Sequence, residues 1–215
     1  MKYTTIIFDL DGTLLNTLAD LAAATNHALA EHKLPQRTTD EVRLFVGNGI
    51  RKLIERAVPA DTPAELQEEV FSSFNKYYKQ HCADSTRPYD GVPQLLQQLR
   101  AAGCRTAIVS NKADYGVQAL AKQYFDGQLD AACGERAGIA KKPAPDMLLA
   151  IMQQLKAEPA STIYIGDSDT DIATASNAGV ACIGACWGFR GRAFLEAHGA
   201  KLLAENVGDI WKLIK

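Results

Sequence analysis

Two carboxylates one residue apart, Asp9 and Asp11, directly follow an apolar run at 4–8 and lead into Gly12, Thr13 and Leu14. An apolar strand that ends in two acids does not bury both without a cation to offset them. A similar arrangement stands further on, where Ile163-Tyr164-Ile165-Gly166 runs into Asp167, Asp169 and Asp171. Asp169 and Asp171 suit the first turn of a following helix, where negative charge is favoured. Capping or solvent exposure is a sufficient account of Asp169, whereas Asp167, at the strand end, has no such account. Asp9, Asp11 and Asp167 offer hard oxygen ligands from two strand ends, a set that suits Mg²⁺ with waters completing the octahedron. Read alone, the first segment is also an acidic surface loop with Thr13 as a helix N-cap.

Three further segments carry candidate chemistry. Val109-Ser110-Asn111-Lys112 closes another apolar run, and a hydroxyl beside backbone N–H groups can hold phosphate. Ser-Asn is also ordinary turn chemistry. Lys142 precedes Pro143 in Lys141-Lys142-Pro143-Ala144-Pro145-Asp146. A residue before proline is biased to extended backbone, from which Lys142 could face an anion. The plain alternative is a solvated lysine pair ahead of a helix. Finally, Val46-Gly47-Asn48-Gly49-Ile50-Arg51 holds two glycines that permit a positive-φ turn. Asn48 and Arg51 could meet a small carboxylate or a second anionic group, or simply start a helix.

These segments need strand ends to carry them. Short runs rich in Ile, Val and Tyr at 4–8, 106–109, 162–165 and 180–183 read as buried parallel strands. Helical patterns separate them: Val92, Leu95, Leu96 and Leu99 share one face, and 169–178 forms another helix stopped by Gly179. The alternation predicts an α/β sheet covered on both faces, with ligands at the carboxyl ends of its strands. The stretch 15–84 shows no strand. Leu18, Leu21, Ala22, Thr25, Ala28 and Leu29 make an amphipathic stripe, and 42–58 and 64–78 read as further helices. This predicts a helical insert at 15–84 in a core formed by 1–14 and 85–215, with hinges near 15–16 and 82–86.

Composition sets the outer limits. The 215 residues carry 25 acids and 23 bases, a net charge of -2, and 47% are hydrophobic. That is enough apolar material for a sizeable core and no broad cationic face for nucleic acid. No apolar run reaches the roughly 18 residues of a membrane helix. Asp9 comes too early for a secretory signal, so the expected location is the cytoplasm. The five cysteines include no CxxC pair, and Cys182 and Cys186, in an apolar run, are expected to be buried thiols.

Taken together, Asp9-Leu10-Asp11-Gly12-Thr13-Leu14, Ser110, Lys142 ahead of Pro-Ala-Pro-Asp, and Gly166-Asp167-Ser168-Asp169-Thr170-Asp171 resemble the four motifs of the haloacid dehalogenase superfamily. The match spans nearly the whole chain. The resemblance implies a Rossmann-like core with a helical cap at 15–84. Asp11, which dehalogenases themselves lack, resembles the phosphatase branch. On that likeness Asp9 is the nucleophile forming an aspartyl-phosphate, and Asp11 is the general acid and base. Asp9, Asp11 (through its carbonyl) and Asp167 hold Mg²⁺. Ser110, Asn111 and Lys142 hold phosphate, and Asp171 orients Lys142 or a metal-bound water.

Gly47, Asn48, Gly49 and Arg51, the run from Asp20 to Asn26, and Trp187-Gly-Phe-Arg-Gly are similar to bacterial phosphoglycolate phosphatases. That implies 2-phosphoglycolate as the substrate. Asn16, where relatives often carry Asp, departs from the pattern. The alternatives are a phosphatase of pyrophosphate, a nucleotide or a sugar phosphate, a β-phosphoglucomutase-like transferase, or a non-catalytic binding module. The expected partner is a small phosphorylated metabolite, bound by a monomer or homodimer.

Overall fold

The apolar run at 4–8 becomes a strand with no solvated side. In the computed structural model, which describes residues 1–215, every residue of β1 (Thr5–Phe8) is buried, as suits a central parallel strand. The chain continues through β2 (Leu15–Asn16), α1 (Leu18–Glu31), α2 (Thr39–Phe45), α3 (Ile50–Ala57), α4 (Ala64–His81) and β3 (Arg87–Pro88). Then follow α5 (Val92–Ala101), β4 (Arg105–Ala113), α6 (Asp114–Phe125), β5 (Ala131–Glu135) and α7 (Asp146–Gln154). The last elements are β6 (Thr162–Gly166), α8 (Asp169–Asn177), β7 (Ala181–Ala185), α9 (Arg192–Ala197), β8 (Leu202–Ala204) and α10 (Val207–Leu213).

Six strands form one parallel sheet in the order β5-β4-β1-β6-β7-β8. The α/β expectation is met, with β5 and β8 added to the four strands read from the sequence. From β1 the chain fills one side of the sheet with β4 and β5, then crosses to fill the other with β6, β7 and β8. The switch therefore lies at β1, where an open sheet leaves a crevice beyond the carboxyl ends of its strands. Alternate side chains of each strand face opposite ways. Ile7, Ala107, Val109 and Tyr164 pack on one face with Met147, Leu148, Ile151 and Met152 of α7.

The chain forms two compact units, Met1–Leu15 with Pro88–Lys215, and Asn16–Arg87. The second is helical. Its α1 buries Leu21, Ala22, Ala24, Thr25, Ala28 and Leu29, and its α4 buries Val70, Phe74 and Tyr78. Helix α2 starts in a capping box in which Thr38 and Glu41 satisfy each other's backbone N–H groups, worth about 1 kcal/mol. The stretch 42–58 breaks into two helices because Gly47 and Gly49 take φ of 122° and 85°, which ends one helix and starts the next. Buried Asp20 accepts hydrogen bonds from the N–H groups of Ser85 and Thr86 and from the Thr86 hydroxyl, so α1 is tied to the end of the same unit.

One expectation is corrected. Cys182 and Cys186 are free thiols of intermediate exposure; Cys182 still packs against the core, and Cys186 is the one that departs from the expectation. β7 pairs with β8 only from Ile183 to Ala185, so Ala181 and Cys182 lack that cover, and Cys186 sits in the turn beyond the strand.

Candidate active site

Three adjacent strands, β4, β1 and β6, deliver the candidate residues to the crevice. The Asp9 N–H extends the ladder to the Ile165 carbonyl at 2.8 Å. The chain then turns sharply: the N–H groups of Leu14 and Leu15 both reach the Leu10 carbonyl at 3.0 Å. Gly12 makes this turn possible with a φ of 84°. It also leaves room, since a Cβ there would stand 2.3 Å from Asp167 Oδ2. Gly188 does the same from another side, where a Cβ would lie 2.2 Å from the Asp167 Cβ. Phe189 donates its N–H to Asp167 Oδ2 at 2.6 Å, and Trp187 Nε1 donates to the Thr13 carbonyl at 3.0 Å. The loop after β7 thus braces both the first turn and Asp167.

Asp9, Asp167 and Asp171 are buried, with carboxylate oxygens within 4.8 Å of one another. Asp171 is satisfied by protein groups alone. One oxygen accepts from Lys142 Nζ at 2.7 Å and lies 3.2 Å from the Tyr164 hydroxyl oxygen. The other accepts from the hydroxyl of Ser168, at 2.6 Å, and from its N–H, in the capping box that opens α8. Gly166 gives this side chain its space, as a Cβ there would stand 2.2 Å from the Asp171 Cγ. Asp169 is exposed in the first turn of α8.

Lys142 is held within the site. Its ammonium lies 3.0 Å from Asp9, 2.7 Å from Asp171 and 2.9 Å from the Tyr164 oxygen. Tyr164 in turn donates to the Val109 carbonyl at 2.8 Å, which leaves its lone pairs to the lysine. Asn111 fixes the backbone of Lys142 in both directions, donating to its carbonyl at 3.0 Å and accepting from its N–H at 2.9 Å. Ser110 is buried beside it, at the same strand end.

Sequence reasoning gave Lys112 no role, yet it is a second buried cation. Its Nζ lies 3.1 and 3.3 Å from the two oxygens of Asp11. The end of β4 is irregular there. Val109 pairs with Cys133 and Ala113 with Glu135, so β4 holds two more residues than β5 over that span. Ser110, Asn111 and Lys112 are all buried, as is every residue of this central strand from Thr106 to Lys112. Gly134 admits the bulged backbone, for a Cβ there would lie 2.6 Å from the Lys112 carbonyl. Three consecutive polar residues after an apolar strand were the visible signal. Tyr164 and the Phe189 N–H were missed as well, the one taken for core and the other invisible to side-chain reading.

The electrostatics follow from this packing. Burial, then repulsion from Asp171 and Asp11, pushes the Asp9 carboxyl up to about 6 against the pull of Lys142. Burial and the Asp171 and Asp9 charges raise Asp167 well above the usual carboxylate range. Burial opposes the Lys142 ammonium, but Asp171 and Asp9 outweigh it and raise its pKa. Half-buried Tyr89 also faces the site: burial and the charges of Asp167 and Asp11 raise its phenol.

Four carboxylates, Asp9, Asp11, Asp167 and Asp171, face two ammonium groups, Lys112 and Lys142. The site therefore carries excess negative charge in a buried place. Its donors are oxygens, and glycines clear the space around Asp167. That donor set fits a hard divalent cation. The carboxylate of Asp11 is turned to Lys112, which leaves its backbone carbonyl as the part of Asp11 suited to a metal.

The helical unit engages its own candidates internally. Asn48 accepts from Arg56 at 2.8 Å. Arg51 pairs with Glu68 and lies 4.3 Å from the centre of the Phe71 ring. Gly49 caps α3 and Gly47 precedes it.

Residues 6–185 match the family model for haloacid dehalogenase-like hydrolases. A phosphoglycolate phosphatase of Aquifex aeolicus is 33% identical over 189 residues, covering 86% of this chain and 85% of the relative. An N-acetylmuramic acid 6-phosphate phosphatase of Pseudomonas aeruginosa is 31% identical over 213 residues, covering 98% and 94%. A crystal structure from Lactobacillus delbrueckii subsp. bulgaricus, provisionally named a phosphoglycolate phosphatase, superposes with a TM-score of 0.95. It is 34% identical, and the match covers 100% of this chain and 99% of that one. No helix is long and apolar enough to cross a membrane.

Proposed function

The chain belongs to the haloacid dehalogenase-like hydrolases, and we propose that it is a Mg²⁺-dependent phosphatase of small phosphomonoesters, with 2-phosphoglycolate as its substrate. The observation that carries the reading is Asp9. It is a buried carboxylate at the switch point of the sheet, 3.0 Å from Lys142 and clustered with Asp167.

Asp9 attacks phosphorus, the bond to the ester oxygen breaks, and the phosphoryl group passes to the carboxylate as an aspartyl-phosphate. A carboxylate needs no base to become a nucleophile. Asp11 gives a proton to the departing alkoxide, then takes one from the water that hydrolyses the aspartyl-phosphate. Lys142, Ser110 and the Asn111 N–H hold the phosphate oxygens, and Asp171 and Tyr164 hold Lys142. The Asp9 and Asp167 carboxylates and the Asp11 carbonyl would hold Mg²⁺. When bound, it supplies the charge that offsets repulsion between Asp9 and the phosphate. The helical unit acts as a cap, in which Gly47, Asn48, Gly49 and Arg51 are candidates for selecting the substrate.

The names of the relatives supply the second reading. N-acetylmuramic acid 6-phosphate also joins a phosphomonoester to a carboxylic acid, so the two esters share their recognisable groups. A panel of small phosphate esters containing both, with kcat/KM for each in Mg²⁺, tests the assignment. Highest kcat/KM for 2-phosphoglycolate is expected. Sugar phosphates ranking above it would overturn the substrate, and no phosphate release from any ester would favour the binding module.

A further inference from the structure

The two acids of the first motif are each served by a different lysine. Lys142, from the loop ahead of α7, pairs with Asp9 and Asp171. Lys112, from the bulged end of β4, pairs with Asp11 through both carboxylate oxygens. We propose that Lys112 is a positioning residue for Asp11, holding the acid–base carboxylate in one orientation beside the scissile bond.

Three observations carry this. The Lys112 side chain is 2% exposed, and its Asp11 partner only 15%, so the pair is shielded from water and its geometry is held far more firmly than that of a surface pair. Lys112 leaves the end of β4 where the register to β5 shifts, beside the site. The stem of Lys112 runs along Gly116 in the first turn of α6, where a Cβ would touch Cε at 3.4 Å and Cδ and Cγ at 3.6 Å, ordinary van der Waals contact. Asp11 lies within the turn that Gly12 permits. A carboxylate that must protonate one oxygen and deprotonate another gains from a fixed placement, since a 1 Å error can cost about 10²-fold in rate.

The proposal rests on the phosphatase reading, and a double-mutant cycle separates the two. The substrate is phenyl phosphate, whose leaving group departs more readily with a proton. In the wild-type background Lys112→Met is expected to lower kcat by about 10²-fold with KM nearly unchanged. In an Asp11→Asn background the same change should alter kcat by no more than a factor of about two, because the group it positions is already gone. Gly116→Val adds two γ-methyl groups beside the lysine stem and leaves every charge in place. It should reproduce the kcat loss in part, and it carries the test if Lys112→Met fails to fold. Equal losses in both backgrounds, a loss in KM alone, or no loss would each overturn the proposal. A wild-type chain that releases no phosphate from any ester overturns the phosphatase reading, and the proposal falls with it.

Discussion

Phe189 holds Asp167 by its backbone: its N–H donates to Oδ2 at 2.6 Å, with Gly188 pressed against the Asp167 Cβ. No side-chain substitution at 189 removes that hydrogen bond, but Gly188→Ala must move Asp167 or the loop. Groups that orient metal ligands are typically worth about 10–100-fold in metal affinity. Gly188→Ala is therefore expected to raise the Mg²⁺ concentration for half-maximal phosphate release by about that factor. An unchanged Mg²⁺ requirement would contradict the bracing role.

Asp9→Asn tests the nucleophile. Removing a group that forms the covalent intermediate is expected to cost about 10⁴-fold or more in kcat. The fold should survive, because Lys142 keeps Asp171 and Tyr164 as partners and one buried charge is relieved. Thermal melting without metal at pH 7 should show a Tm equal to or above that of wild type. Substantial turnover by this variant would refute the assignment.

Tyr164→Phe leaves the Val109 carbonyl without its donor and Lys142 without one acceptor. An unsatisfied buried polar group costs about 1–3 kcal/mol, so denaturant unfolding should show a loss of that size. Because Lys142 also loses a restraint next to the phosphate, kcat/KM should fall with it. Full activity in a destabilised variant would confine Tyr164 to the core.

The parts of this site that were legible in the sequence are those announced by a side chain in an unfavourable place. Asp9 and Asp167 end apolar strands, and an acid there demands a reason. Asp171 could be placed at a helix start. The number of strands was less legible: β5 is Ala131-Ala132-Cys133-Gly134-Glu135, with little β propensity, and is held in the sheet by its neighbours. Lys112 was hidden because a lysine at a strand end reads as a solvated side chain, and its partner Asp11 stands about a hundred residues away in the sequence. Tyr164 reads as a core residue of a buried strand, which it also is. The candidates around Asn48 and Arg51 were marked by glycines, and the structure shows those glycines ending and starting helices, with both polar side chains partnered inside the helical unit.

Binding of Mg²⁺ should depend on pH with a sign set by Asp9. Its carboxyl is raised from an ordinary 3.8 to about 6, by burial first. A raised carboxyl holds its proton to higher pH in the folded protein than in the unfolded chain. Its contribution to the stability of the metal-free protein is thus present below about pH 4 and lost as pH rises through about 6. Burial raises Asp167 too, which adds to the same trend. Above pH 6 the uncompensated carboxylates are what the cation relieves, and below it protons compete for the same oxygens. At pH 7.5, Mg²⁺ at about 100 times its Kd should stabilise by about 2.7 kcal/mol, roughly 5–10 °C in Tm for a chain of this size. At pH 5 the same concentration should give a much smaller shift. Thermal melts with and without Mg²⁺ across this range test the linkage, and a shift that stays constant or grows toward low pH would show that Asp9 and Asp167 do not hold the metal.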